Sequence, residues 1–252
     1  MEQYGIIGFP LTHSFSPAYF NEKFTSGRMD CAYNVYQIDS ISQLPGLIKA
    51  KPELCGLNVT IPYKTAVIQY LDFISESAQA INAVNCVKIV DGKLFGFNTD
   101  HFGFTETLKP LLNKEMNKAL VLGTGGSSKA VCFALSQLGI EYKLVSASGK
   151  GDLSYNELTE EILQENLLLV NTTPLGMFPE TDQCPTIPYP FLCEKHLLYD
   201  LIYNPKETVF LRKGREQKTA IKNGYEMLIA QADKSWEIWN DDNAINKTIS
   251  LK

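Results

Sequence analysis

Short apolar runs and stretches of period-two alternation recur along the chain, parted by polar and glycine-rich connections. Residues 5–9 (G-I-I-G-F) and 33–38 (Y-N-V-Y-Q-I) predict strands, as do 56–59, 83–87, 119–122, 142–146, 167–171 and 197–202. Helical spacing appears between them, first at Tyr19, Phe20 and Phe24 behind Pro17 and then over 44–49. A further helix is entered at Pro62 and runs through Tyr70, because proline suits a first helical turn. A polar helix ends near Ala80, and another carries Phe104, Leu108 and Leu111 on one face. The last helix follows Gly224 with Leu228, Ile229, Ala232, Trp236 and Trp239. Val90-Asp91-Gly92-Lys93 reads as a hairpin turn.

Alternating strands and helices predict an α/β protein, and 252 residues exceed one ordinary core. Two domains are expected: an N-terminal α/β substrate domain over 1–103, completed by a C-terminal helix over 229–252, and a Rossmann-type, doubly wound dinucleotide-binding domain over 104–228. The polar segment 113–117 leads into the second, and the last helix is expected to seal a cleft between the two.

The most informative stretch is 118–138, K-A-L-V-L-G-T-G-G-S-S-K-A-V-C-F-A-L-S-Q-L. Its opening apolar run is that of a buried parallel strand, and Ala130, Val131, Ala134, Leu135 and Leu138 then resume at helical spacing. Gly123 permits the tight turn, Gly125 leaves the backbone bare for a pyrophosphate, and Ser128 holds the third, small-residue position. The amides of Gly126, Ser127 and Ser128 at the helix start would then face an anion. The competing reading is a glycine turn that binds nothing; the flanking strand and helix favour a dinucleotide.

A net charge of −5 with no block of like charges leaves no electrostatic footprint for nucleic acid or an anionic membrane. No apolar run reaches membrane-spanning length, and the chain opens into a strand without a signal-peptide pattern. The cysteines at 31, 55, 86, 132, 184 and 193 form no C-x-x-C pair and read as reduced core thiols, with no metal-ligand set. Together these point to the cytoplasm.

Several polar residues stand at strand ends. Ser14 and Ser16 lie in P-L-T-H-S-F-S-P, where Ser16, directly before Pro17, suits a helix cap; Ser14 has no such local task, and His13 receives no role. Lys64 falls in the expected first turn behind Pro62, where the helix dipole disfavours a cation and favours the neutral amine that proton transfer requires. The alternative is a solvated surface lysine. Asp100, in G-F-N-T-D-H-F-G, is either an N-cap or a functional carboxylate.

Taken in order, G-F-P-L-T-H-S-F-S-P (8–17), N-V-T-I-P-Y-K (58–64), A-V-N (83–85), G-F-N-T-D-x-x-G (96–103), G-T-G-G-S-S (123–128), N-T-T-P-L-G-M (171–177), D-L-I-Y-N-P (200–205) and G-Y-E-M-L-I-A-Q (224–231) resemble the shikimate dehydrogenases over nearly the whole chain. The resemblance implies reversible, NADP-linked reduction of 3-dehydroshikimate to shikimate in aromatic amino-acid biosynthesis. It implies Ser14 and Ser16 at the substrate carboxylate, Asn58, Thr60, Asn85 and Gln231 around the ring hydroxyls, and Tyr203 closing the pocket. It implies Lys64 and Asp100 at the reacting oxygen, Gly123, Gly125, Gly126, Ser127 and Ser128 at the pyrophosphate, and Thr172, Leu201, Gly224 and Met227 along the cofactor. The partner is a small-molecule substrate, and the assembly a monomer or homodimer. Clustered hydroxyl and amide side chains suit a polyhydroxylated acid, and one positioned acid–base group suffices beside a hydride transfer.

Two departures from the family pattern stand out. Phe20 occupies a usual histidine position, and Ser146-Ala147-Ser148 replaces the Asn-Arg-Thr that grips the 2′-phosphate of NADP. The second strand of an NAD enzyme ends in a carboxylate, which is absent here, while arginine, the residue suited to a phosphate, is absent too. Ser146, Ser148 and Lys150 are therefore expected to hold the phosphate, with NAD as the alternative cofactor. The rival functions are an NAD-linked quinate/shikimate dehydrogenase and a non-catalytic metabolite-binding homologue; Lys64 and Asp100 together argue against the second.

Overall fold

The computed structural model describes residues 1–11 and 15–251. In chain order the elements are β1 (Glu2–Gly8), α1 (Phe15–Ser26), β2 (Cys31–Gln37), α2 (Leu44–Ala50), β3 (Leu54–Val59), β4 (Phe73–Ser75), α3 (Glu76–Ile81), β5 (Cys86–Val90), β6 (Lys93–Phe97) and α4 (Asp100–Leu108). They continue with β7 (Lys118–Leu122), α5 (Gly126–Gln137), β8 (Glu141–Val145), α6 (Glu160–Glu165), β9 (Leu168–Asn171), β10 (Leu197–Asp200), α7 (Val209–Glu216), β11 (Ala220–Lys222), α8 (Tyr225–Asn240) and β12 (Thr248–Ser250). The chain divides into two compact units, Met1–Thr99 with Ala232–Lys252, and Asp100–Gln231.

The first unit is built on a seven-stranded sheet of order β12-β4-β6-β5-β3-β1-β2. It is mixed: β5 runs antiparallel to β3 and β6, joined to β6 by the hairpin turn at Asp91 and Gly92, both with positive φ. Period-two alternation sends Ile7, Leu57 and Val59 to one core, and Tyr4, Ile6 and Tyr33 to the other. The second core is aromatic. Trp239 stacks on Tyr4 at 4.9 Å, and its indole Nε1 donates to the Val87 carbonyl oxygen at 3.0 Å. Truncating buried aromatics of this size costs roughly 3–5 kcal/mol each. Phe20, at the usual histidine position, is fully buried and stacks on Tyr33 at 4.6 Å.

The second unit carries a parallel five-stranded sheet of order β11-β10-β9-β7-β8. Ala119 and Val121 face a core with Val131 and Leu135 of α5 and Phe104 of α4; Leu120 and Leu122 face the other with Leu163 of α6 and Phe210 of α7. Helices thus cover both faces, which is why 119–122 has no polar position. The strand order reverses between β7 and β9, and ligands of open α/β sheets bind outside the strand ends at such a point.

Two expectations are corrected. No helix starts at Pro62; residues 61–65 are turns, the Ile61–Pro62 peptide is cis, and only a short 3-10 helix follows at Ala66–Tyr70. Tertiary contacts set this segment: the buried Tyr63 hydroxyl donates to the Ile38 carbonyl oxygen (2.7 Å), and the Lys64 carbonyl oxygen accepts from the Val84 amide (2.7 Å). The last helix also stops at Asn240 instead of running to 252. Buried Lys88 caps it, its Nζ donating to the carbonyl oxygens of Ile238 (3.2 Å) and Asp241 (2.8 Å), and the chain then adds β12 antiparallel to β4. Among the cysteines, Cys86 and Cys132 are core residues, but Cys193 is exposed.

Candidate functional site

In the first unit, Asn58 is the buried next-to-last residue of β3 and Asn85 immediately precedes β5. The Asn85 Nδ2 donates to Thr99 Oγ1 (2.9 Å) and its Oδ1 accepts from the Thr99 amide (2.6 Å). Asn58 donates to the Asn85 carbonyl oxygen (3.2 Å) and to Ser235 Oγ (3.0 Å), and accepts from the Tyr33 hydroxyl (2.7 Å). Ser16 lies inside α1, so it is no N-cap, and it is buried. Ser14 falls outside the described residues. Thr60 is half-buried just beyond β3, its amide donating to the Ile7 carbonyl oxygen (3.0 Å).

Lys64 is half-buried and precedes a 3-10 helix of only five residues. The argument from a helix dipole therefore falls. The backbone bond from Val84 instead brings Lys64 beside the strand entry that carries Asn85. Tyr33, Thr99 and Ser235 complete this polar cluster; Thr99 stands in the N-T-D motif, whereas Tyr33 and Ser235 belong to no short motif that a sequence pattern singles out.

In the second unit, Asp100 is the first residue of α4 and is buried. Gly103, one turn later, backs onto α8: a Cβ there would lie 2.6 Å from the Met227 carbonyl oxygen and 3.1 Å from the Gln231 amide. This close approach places Asp100, Met227 and Gln231 on neighbouring turns of two helices. The Gln231 Nε2 donates to the Leu228 carbonyl oxygen (2.9 Å). Gly224 meets the 201–203 segment as closely, since a Cβ would fall 2.0 Å from the Leu201 carbonyl oxygen. Tyr203 is half-buried, and burial pushes its phenol upward.

The glycine turn leaves β7 at Gly123, whose φ of +108° favours glycine. Gly125 caps α5 without a side-chain hydrogen bond, and nothing lies within 4 Å of a Cβ at Gly125 or Gly126. Open space therefore stands over the unpaired first-turn amides, including that of half-buried Ser127, as an anion requires. Ser128 turns its hydroxyl back to the Gly125 carbonyl oxygen (2.6 Å) and acts as the small buried residue of the turn. Across the switch point Thr172 Oγ1 donates to the Leu122 carbonyl oxygen (2.7 Å). Behind it, the Asp200 carboxylate is buried and accepts from Asn171 Nδ2 (3.0 Å), the Ile202 amide (3.0 Å) and Thr208 Oγ1 (2.6 Å). Burial still pushes it up to about 6, with those three bonds opposing.

Beyond β8, Ser146 and Ser148 bring their hydroxyls within 2.9 Å, next to exposed Lys150. Asp152 accepts from the Leu144 amide (2.7 Å) and so anchors the loop instead of projecting from the strand end. These residues fit a phosphate-bearing ribose better than a bare one. Among the described residues no group of three or more His, Cys, Asp or Glu side chains converges as a metal site, and no helix is long and apolar enough to cross a membrane.

A parallel sheet wound on both faces, with a bare glycine turn at its switch point, makes this a two-unit α/β protein of the Rossmann type. Residues 6–87 match the shikimate dehydrogenase substrate binding domain. A shikimate dehydrogenase (NADP(+)) of Clostridium beijerinckii is 40% identical over 264 aligned residues, covering 98% of this chain and 95% of that protein. The Thermus thermophilus shikimate 5-dehydrogenase solved with NADP(H) and shikimate superposes with a TM-score of 0.84 at 33% identity, over 95% of this chain and 94% of that one. The Listeria monocytogenes enzyme solved with shikimate and NAD gives 0.83 at 27%, over 95% and 91%. The chain belongs to the shikimate dehydrogenase family.

Proposed function

We propose that the protein catalyses the reversible NADPH-dependent reduction of 3-dehydroshikimate to shikimate in chorismate and aromatic amino-acid biosynthesis. The observation that carries this is the buried, hydrogen-bonded cluster of Asn58, Asn85, Thr99 and Ser235, a set of hydroxyl and amide partners suited to a polyhydroxylated acid. Residues 1–103 with the last helix serve as the substrate domain and 104–228 as the NADP domain. The protein acts in the cytoplasm on a small molecule, as a monomer or homodimer, without nucleic acid or membrane.

In this reading Ser14 and Ser16 hold the carboxylate, and Asn58, Thr60, Asn85 and Gln231 orient the ring, with Tyr203 excluding water. The amides of 123–128 would hold the pyrophosphate of NADPH and Thr172, Leu201, Gly224 and Met227 would line the rest of it; the bound cofactor would supply the hydride for the carbonyl carbon. Lys64 delivers the proton to the carbonyl oxygen as negative charge develops there and takes it back in the reverse direction. Asp100 orients that oxygen and Lys64. The test is shikimate oxidation with NADP and with NAD: absence of turnover with either overturns the reading.

Two outcomes follow from the chain's own residues. The Ser146–Ser148 pair and Lys150 give charged-group hydrogen bonds of about 1.5–3 kcal/mol, trimmed by solvent, so NADP should be preferred over NAD by about 10–100-fold in kcat/KM. Lys150→Ala should weaken NADP binding in a fluorescence titration, with NAD almost unaffected, and the preference should shrink as salt screens the lysine. Equal binding of the two cofactors removes this assignment. Serine at both 14 and 16 resembles the shikimate-specific pattern, whereas quinate carries an additional hydroxyl beside the carboxylate. Shikimate should therefore exceed quinate at least ~100-fold in kcat/KM, roughly 2.7 kcal/mol. Comparable efficiencies would promote the quinate reading.

A further inference from the structure

Asn58 is a polar side chain set into the aromatic face of the seven-stranded sheet, and the protein itself fills most of its hydrogen-bonding capacity. A backbone carbonyl only accepts, so the Asn58 atom facing the Asn85 carbonyl oxygen must be the amide nitrogen. That nitrogen spends its second hydrogen on Ser235 Oγ, and Oδ1 takes the Tyr33 hydroxyl proton. Both donors are consumed. What Asn58 presents to a ligand is the second lone pair of Oδ1, an acceptor whose direction Tyr33 sets.

Tyr33 is built for that task. It lies on β2 and Asn58 on β3, with β1 between them. The pairings Tyr33–Tyr4, Tyr4–Gly56 and Ile6–Asn58 put Tyr33 and Asn58 on one face. Its ring is buried and stacked on Phe20 at 4.6 Å, so the hydroxyl has little freedom to move. Burial holds that hydroxyl well above its usual titration range, which keeps it a donor at working pH.

We propose that Tyr33 is a positioning residue for the substrate site, holding Asn58 as an acceptor for a ring hydroxyl. The inference rests on the reading of Asn58 and Ser16 as substrate contacts. Ser235, fully buried on α8, holds the amide from the opposite side.

Tyr33→Phe keeps the ring stack and removes only the hydroxyl. It should raise the KM for shikimate roughly 5–10-fold, about the effect of one hydrogen bond, with a much smaller change in kcat. The NADP dissociation constant, read by fluorescence, should stay as in the wild type, which a general loosening of the fold would not allow. In an Asn58→Ala background the same substitution should have a smaller effect on KM, because part of its action runs through Asn58. Ser235→Ala should raise KM in the same sense and stands in for Tyr33→Phe should that variant fail to fold. If Asn58→Ala raises KM but Tyr33→Phe does not, or if the two effects simply add, the positioning role is wrong and the substrate site stands. If neither Asn58→Ala nor Ser16→Ala moves KM, the site itself is misassigned and the inference falls with it.

Discussion

Lys64→Ala is expected to lower kcat by roughly 10²–10⁴-fold, the range lost with a positioned general acid–base group, with a much smaller change in KM. The structure makes this a clean experiment. The local backbone is held by the Tyr63 hydroxyl on the Ile38 carbonyl oxygen and by the Val84 amide on the Lys64 carbonyl oxygen. Neither bond involves the Lys64 amine, so both survive its truncation. Asp100→Asn should also reduce kcat, because it keeps the shape of the carboxylate and removes its charge. Near-normal turnover by Lys64→Ala would return that residue to the solvated surface and leave the chain without an acid–base group.

The second large effect is on stability and turns on Asp200. Burial raises its carboxyl from 3.8 to about 6 despite three hydrogen bonds that favour the anion. Between those values the folded protein holds a proton that the unfolded chain has lost, so stability falls as pH rises through the window. The expected loss from Asp200 is on the order of 3 kcal/mol between about pH 4 and pH 6, with little further change above. Asp200→Asn tests it without disturbing the shape. Its oxygen would still accept from Asn171 and Ile202, and its amide would donate to Thr208 Oγ1, which reverses from donor to acceptor. Denaturation of both proteins from pH 4 to 7 isolates this group from the other carboxylates: the wild type should lose ground steadily against the variant. A constant difference across that range would mean that Asp200 does not titrate there.

Much of this was legible where physics is local. The apolar run 119–122 announces a strand buried on both faces, and the glycines after it announce a turn whose Gly123 has positive φ. The hairpin at 91–92 was equally plain. What escaped depends on partners distant in sequence. Pro62 looks like a helix start, yet Tyr63 reaching Ile38 and Lys64 bonding Val84 dictate turns there. The short strands β4, β11 and β12 have too few residues for any period to show. In the site, Asn58 and Asn85 stand in readable motifs, whereas Ser235 is a serine in a helix until the fold sets it against Asn58, 177 positions earlier.

Trp236 and Trp239, which cover Tyr4, Phe20 and Phe24, arrive on the segment that closes the first unit, after the whole intervening unit has been made. On a ribosome adding about 5–20 residues per second, that aromatic face waits roughly seven to thirty seconds for its cover. The second unit, continuous in sequence, can complete its core in the meantime. Newly made chains therefore pass through a stage in which one half is folded and the other displays a sticky hydrophobic sheet, which makes the nascent first unit the natural client of a chaperone and the place where rapid overexpression would first produce aggregates.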